Sequence, residues 1–240
     1  MPPELALFLC TGFVCYLLRL DRQQSPGVSA AVWLPTLWLF SIGTKPLGRW
    51  LGSASGDEWG SPWDQYFGIG ILCLGVLILA RRRFDWCYLL RRQPWLVALL
   101  GYMLVSCLWA DWPFVCLKRG TRQVLAVVMA AVVVSEPDPP LAVEKILLRF
   151  AYFLLPFSLL LIKYYPHLGV EFGRWSGERM WVGVAQQKNG LARVCIIALI
   201  FLIWRFIQRG GCAMKQSGRY ALIAESSVLV LGLYMLFLPA

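Results

Sequence analysis

An all-α integral membrane protein of about eight transmembrane helices is the fold class that the sequence predicts. Three observations predict it. Hydrophobic residues make up 59% of the chain and charged residues only 15%, the mean hydropathy is +0.62, and apolar runs of 11 to 18 residues recur along all 240 residues. No water-soluble core could bury so many runs at once. The same composition excludes collagen, a disordered chain and a secreted disulfide scaffold.

A bilayer-crossing helix needs roughly 20 residues. Residues 1–240 read as one polytopic membrane domain with spans near 5–18, 28–42, 66–80, 95–110, 124–134, 146–162, 191–207 and 221–238. Most runs fall short of the ideal length, and flanking Trp, Tyr, Lys and Arg extend them, because amphipathic ends sit at headgroup level and cationic stems snorkel. The first run carries Glu4, has no Lys or Arg ahead of it and lacks a small-residue cleavage pattern before Arg19. It reads as a retained helix rather than a signal peptide.

Orientation follows from the basic loops, which tend to stay in the cytoplasm. The loop 81–94 holds Arg81, Arg82, Arg83, Arg91 and Arg92. Placing it inside also places Arg19, Arg22, Lys145, Arg149, Arg205, Arg209, Lys215 and Arg219 inside, and both termini outside. That frame assigns 13 of the 23 Lys and Arg residues to the inner side. The outward set is Lys45, Arg49, Lys118, Arg119, Arg122, Lys163, Arg174, Arg179, Lys188 and Arg193, spread over three loops.

These outward cations are either anchors for lipid phosphates or, if they converge, a site for a polyanionic headgroup whose phosphate oxygens guanidinium forks grip bidentately. A net charge of +10 therefore points to lipid. Nucleic acid is a poor partner, since spans divide the cations between two faces. The eight cysteines show no CxxC or metal-ligand spacing and read as small packing residues, with Cys116 facing an oxidising compartment without an evident partner. One histidine, His167, and no DxD pair give no support for a metal.

The loops must carry the chemistry. Loop 43–65, GTKPLGRWLGSASGDEWGSPWDQ, reads as a re-entry segment with interfacial tryptophans, a sugar-stacking role staying open. In loop 109–123, WADWPFVCLKRGTRQ, Pro113 can open a helix, on which Lys118 and Arg122 share a face while Arg119 is offset by one position. Asp111 reads as the cap of that helix, with general-base catalysis as the alternative. Loop 163–189 interleaves Arg174, Arg179 and Lys188 with Trp175 and Trp181, and with Gly173, Gly177 and Gly183, which permit close backbone approach. His167 reads as interfacial, with proton transfer as the alternative.

The stretch Trp181-Val-Gly-Val-Ala-Gln-Gln-Lys188-Asn189-Gly190-Leu191 resembles the W-x-G-x-x-x-x-K-N-x-L-G signature of the bacterial O-antigen ligase and polymerase family. Three more stretches agree in order and spacing. They are Trp33-Leu-Pro-Thr-Leu-Trp38 followed by Lys45-Pro46 and Trp50-Leu51; Gly60-Ser61-Pro62 with Asp64; and Tyr102 through Arg122, similar to Y-x-x-x-S-x-x-W-x-D-x-P with a basic tail.

The resemblance implies the N-terminal portion of a GT-C-type polytopic glycosyltransferase of the bacterial inner membrane, metal-independent and without a cofactor. Its donor would be a glycan on undecaprenyl pyrophosphate at the periplasmic face. Its acceptor would be lipid A core for a ligase, or a growing lipopolysaccharide or exopolysaccharide chain for a polymerase. Outward cations would hold the pyrophosphate, with Arg174 and Lys188 in the catalytic role and Lys118, Arg119, Arg122, Asp111, Trp181 and Asn189 (a neutral hydrogen-bond partner or backbone cap) binding substrate.

The family carries a large outer loop with a functional histidine in its second half, and this chain has no such loop. Gln187 stands where many relatives carry histidine, and Ala192 replaces the glycine after Leu191. The chain is therefore expected to be either the N-terminal part of such an enzyme or a shortened relative that holds lipid-linked glycan without completing transfer. Two other classes compete. A transporter or flippase subunit calls for ionisable residues near mid-membrane, whereas Glu225 and Arg193 read as lying near span ends. A non-catalytic scaffold for polysaccharide export would tolerate loss of the loop cations.

Overall fold

The computed structural model describes residues 1–24, 27–52, 61–173, 177–210 and 216–237. In chain order the elements are α1 (Pro3–Gln24), a 3₁₀ turn (Ala30–Val32), α2 (Trp33–Gly43), α3 (Leu47–Trp50), α4 (Pro62–Arg81), α5 (Trp86–Arg92) and α6 (Pro94–Val105). A second 3₁₀ turn (Ser106–Leu108), α7 (Pro113–Val134), α8 (Pro139–Tyr164), α9 (Pro166–Gly169), β1 (Val170–Phe172), β2 (Arg179–Trp181), α10 (Lys188–Gly210) and α11 (Gln216–Leu236) follow.

The eight apolar runs fall mainly on helix, with 28–42 divided between the first 3₁₀ turn and α2 and 95–110 between α6 and the second 3₁₀ turn. Among the described residues four helices, over Pro3–Arg22, Pro62–Arg81, Pro139–Tyr164 and Lys188–Gln208, are long and apolar enough to cross a membrane. Ala30–Gly43, Pro94–Leu108 and Ile223–Leu236 are shorter apolar helical stretches. The run at 124–134 is the apolar part of the 22-residue α7, whose earlier turns carry Lys118, Arg119 and Arg122. The architecture departs from all-α in one place: β1 and β2 pair antiparallel, with Val170 opposite Trp181 and Phe172 opposite Arg179.

The chain forms two compact units, Met1–Val28 with Leu39–Lys45 and Val143–Ala240, and Ser29–Trp38 with Pro46–Ala142. It passes from one to the other at 28/29, within α2, at 45/46 and within α8.

In the first unit α8 is the hub. Leu148, Ala151, Tyr152 and Leu155 on α8 pack with Leu17 of α1, Ala198 and Leu202 of α10, and Val228 of α11. A second face of α8 carries Phe150 and Leu154 against Phe40 of α2, and Phe40, Phe153 and Phe157 form a ladder with ring centroids 4.9 and 4.5 Å apart. Helices approach closely where side chains vanish. A Cβ on Gly232 would sit 2.8 Å from Leu199 Cδ2, and one on Gly43 would sit 2.9 Å from the Phe150 ring.

Charged side chains are also buried in this unit. The Asp21 carboxylate accepts from Lys145 Nζ and, at 3.3 Å, from Arg149 Nε. Arg205 bridges Glu144 and Glu225, with Nε to Glu225 Oε1 at 3.0 Å. Glu225, only 3% exposed, is the tenth residue of α11 and lies in its middle. Within the apolar stretch Ile223–Leu236, Glu225 is the third residue and so stands near its end, where the Arg205 pair satisfies the carboxylate locally.

In the second unit α4 and α7 pack along their length. Leu79 and Ile71 of α4 meet Leu125, Val128, Met129 and Val132 of α7, with Leu34 completing the core. Gly75 makes the approach possible, since a Cβ there would lie 2.7 Å from Met129 Cε and 2.8 Å from Val128 Cγ1. α4 ends in a Schellman turn: Phe84 N donates to Leu79 O, Arg83 N to Ala80 O, and Arg83 takes φ 50°. Beyond it, the Arg82 guanidinium reaches Glu136 Oε1 at 2.5 Å, Ser135 Oγ at 2.8 Å and Ser29 Oγ at 2.7 Å. This clasp joins the C-terminal ends of α4 and α7, so the two helices run parallel.

Candidate functional site

Because α4 and α7 are parallel, their N-terminal ends also lie together, about 27 Å from the clasp at a rise of about 1.5 Å per residue. A groove of about 260 Å³ opens there. One wall is the α4 stripe Asp64, Gln65, Gly68, Ile69 and Leu72; the other is the α7 stripe Phe114, Leu117, Lys118, Thr121, Arg122 and Leu125. Both stripes follow helical spacing. Lys118 and Arg122 therefore line the groove, while Arg119, one position round the helix, is exposed and does not.

The groove is polar at one side and apolar along its length, with Ile69, Leu72, Leu117 and Leu125 as its greasy part. Lys118 and Arg122 stand in the second and third turns of α7, and Asp64 in the first turn of α4 lines the same groove. The arrangement can hold an anion with an attached hydrocarbon chain.

Asp64 is the acid of this groove, and its position is set by the chain on both sides. Ser61 caps α4: its Oγ donates to Asp64 Oδ2 at 2.9 Å and accepts from the Asp64 amide, while Pro62 stands at the first helical position, where no amide donor is needed. Asp64 Oδ1 accepts from the Leu47 amide at 2.7 Å, tying α3 to α4. Asp64 entered the sequence argument only within a motif. The capping pattern Ser61-x-x-Asp64 is the signal that marks it.

Asp111 is exposed and does not cap α7. Trp112 holds the cap position without a side-chain hydrogen bond, and its carbonyl accepts from Val115 N and Cys116 N, both at 3.1 Å. The expected capping role is corrected on that ground. The helix starts one residue later than a cap at 111 requires.

The Trp181–Leu191 stretch lies in the first unit. Trp181 ends β2 and is half-buried. Gly183 has φ 56°, and a Cβ on it would come within 2.9 Å of Ser158 Cβ, so a side chain there is opposed by both conformation and space. The next amide, Val184 N, donates to Ser158 Oγ, and Val184 O accepts from the Lys45 amide at 2.9 Å. These bonds pin the signature to α8 and to the end of α2.

Lys188 and Asn189 open α10 and are exposed. The backbone cap there is Gln187, whose carbonyl accepts from Gly190 N at 2.9 Å and Leu191 N at 3.1 Å. Asn189 is two residues past the cap position, and its own carbonyl accepts from Arg193 Nε at 3.3 Å. A second hollow of about 370 Å³ in this unit is lined by Thr44, Gln187 and Arg193 over Leu39, Phe150 and Ile197.

Lys45, counted among the outward cations, is 5% exposed and donates to the Leu168 carbonyl. Its charge faces protein rather than solvent. His167 is exposed, with its ring 6.0 Å from that of Tyr165. Arg174 and Trp175 lie outside the described residues. Among the described residues no group of three or more His, Cys, Asp or Glu is placed to hold a metal ion.

No protein-family model, curated protein or solved structure matches the chain.

Proposed function

We propose that the chain binds an undecaprenyl-pyrophosphate-linked glycan at the periplasmic face of the bacterial inner membrane and serves, like O-antigen ligases and polymerases, in lipopolysaccharide or exopolysaccharide biosynthesis. The α4/α7 groove carries this reading, because Lys118 and Arg122 stand over an apolar wall. That is the combination a phosphorylated polyprenol needs: cations for the phosphates, hydrocarbon for the chain. Pyrophosphate leaving an anomeric carbon gains negative charge, and preorganised cations aimed at it lower the barrier beyond what they contribute to ground-state binding. In this reading Lys118 and Arg122 bind the donor, with Arg119 and Asp111 at the rim. Trp181 and Asn189 contact the glycan, and Arg174 and Lys188 meet the developing charge.

The test is glycan profiling of a strain carrying Lys118→Gln with Arg122→Gln, and separately Arg174→Ala. The expected result is loss of the attached or extended polysaccharide and accumulation of its lipid-linked precursor, with unchanged protein in the membrane. Normal glycan in the double variant removes the groove from the reaction.

A second reading, a transporter or flippase subunit, draws on one observation, the buried Arg205–Glu225 pair. It predicts that Glu225→Gln abolishes precursor translocation while the groove variants leave it intact.

A further inference from the structure

The sequence offers Cys116 no partner, and the fold supplies one. Cys107 sits in the 3₁₀ turn Ser106–Leu108 and Cys116 in the first turn of α7, ahead of its apolar segment. Both thiols donate to one carbonyl oxygen, that of Met103, at 3.6 Å from Cys107 Sγ and 3.9 Å from Cys116 Sγ. Ser106 Oγ lies 3.4 Å from Cys116 Sγ. Two elements separated by the Trp-Ala-Asp-Trp loop thus bring two sulfurs to one point.

We propose that Cys107 and Cys116 are an oxidisable pair that forms a disulfide closing the 107–116 loop. The proposal rests on the outward placement of residues 109–123 given above, which puts Cys107 at the outer end of the span near 95–110, since disulfides persist in an oxidising compartment.

Cys116 is the nucleophile. Hydrogen bonds with Ser106 and then Cys107, aided by the Arg119 charge, outweigh burial and hold its thiol below the usual range. The Cys116 thiolate attacks one sulfur of a protein thiol–disulfide oxidant, forming a mixed disulfide and expelling the first oxidant thiolate. The Cys107 thiolate then attacks the Cys116 sulfur, forms the intramolecular bond and expels the second. Two protons leave the pair, and two electrons reduce the oxidant's disulfide to a dithiol. The bond fixes the turn after α6 to the first turn of α7, and so fixes the loop that carries Asp111 next to the turns that carry Lys118 and Arg122.

The test is differential alkylation. Cells are acid-quenched and denatured, free thiols are blocked with iodoacetamide, and disulfides are then reduced and labelled with N-ethylmaleimide before peptide mass spectrometry. Maleimide on both Cys107 and Cys116 is expected, with a switch to iodoacetamide on both after pretreatment with dithiothreitol. Iodoacetamide on both without pretreatment overturns the disulfide.

A second arm separates this from a failure of orientation. Trp109, 62% exposed on the same loop, is replaced by Cys in a Cys107→Ser, Cys116→Ser background and probed with an impermeant maleimide on spheroplasts. Labelling of intact spheroplasts upholds the outward loop, so that free native thiols would then refute the disulfide alone. Labelling only after permeabilisation overturns the outward placement, and with it both proposals.

Discussion

Replacing Asp21 with alanine removes a carboxylate that two buried cations share. Lys145 is 1% exposed and its ammonium donates to Asp21 Oδ1; Arg149 donates from Nε to Oδ2 at 3.3 Å. Glu144, beside Lys145 in sequence, is engaged by Arg205 and offers no substitute without breaking a second pair. Removing one partner of a buried pair costs about 3–5 kcal/mol, because the remaining charge is left desolvated. At about 2–4 °C per kcal/mol for a chain of this size, the midpoint should fall by roughly 6–20 °C. The assay is thermal unfolding of the detergent-solubilised protein, with Glu4→Gln, an exposed change at the start of α1, as a control that should stay within about 0.5 kcal/mol. Converting the trio together to Asp21→Leu, Lys145→Met and Arg149→Met should recover most of the loss, since apolar groups of similar volume leave no orphan charge. A loss below about 1 kcal/mol for Asp21→Ala, the size found for an exposed pair, would refute the reasoning.

Two further outcomes follow from the second unit. Burial pushes the Glu136 carboxyl up, but hydrogen bonds from Ser29 and Arg82 and the Arg82 charge outweigh it and hold the group below the ordinary carboxylate value. Its stabilisation is therefore complete above the unfolded value of about 4.3 and is lost as pH falls through the lower folded value. Midpoints measured across the acid range should show wild type losing its advantage over Glu136→Gln below about pH 4, and a constant difference would contradict this. Gly75→Leu should destabilise by about 1–3 kcal/mol in the same thermal assay, because the stiff Val128 side chain cannot yield as the Met129 terminus can. Wild-type stability in that variant would mean that α4 and α7 do not meet at Gly75.

What was legible in the sequence is what the bilayer forces. A backbone without water must satisfy its own hydrogen bonds, so the long apolar runs are mainly helical here, and among the described residues four of the helices are long and apolar enough to cross a membrane. Run length alone did not show which helices are long and apolar enough to cross. α7 extends eleven residues ahead of the apolar run that was read from 124, into turns whose cations form a groove wall. The ion pairs were not legible at all. Asp21 and Lys145 are 124 residues apart, and no local period links them. The β1–β2 hairpin escaped for the opposite reason, since two three-residue strands are too short to show an alternation. Lys118 and Arg122 could be placed on one face because that needs only helical spacing. Their neighbour across the groove, Asp64, needed knowledge of which helix packs on α7.

Taken one at a time, the two units distribute charge in the same manner. In the second, Arg82 at the C-terminal ends of α4 and α7 is held by Glu136, whereas the N-terminal ends carry Lys118, Arg119 and Arg122 around a groove whose described acid, Asp64, already accepts from Ser61 and the Leu47 amide. In the first, Lys145, Arg149 and Arg205 are matched by Asp21, Glu144 and Glu225. About 21 Å along α8, near Ser158, the exposed Lys188 and Arg193 stand at the start of α10. Counting basic residues by loop gives only a weak inward bias, because that count treats a cation locked to a buried carboxylate like one facing solvent. In each unit buried acids lock cations at one end while exposed cations stand at both: Arg81 and Arg83 beside the locked Arg82 and Arg119 and Arg122 at the groove, Arg19 and Arg22 beside Asp21 and Lys188 at the start of α10. An anionic lipid headgroup is attracted by uncompensated charge, not by the total. Impermeant labelling of a cysteine placed at Lys118 and, in a separate variant, at Lys188 tests each end by itself: labelling of intact spheroplasts is expected for both, and a position labelled only after permeabilisation cannot meet a periplasmic donor.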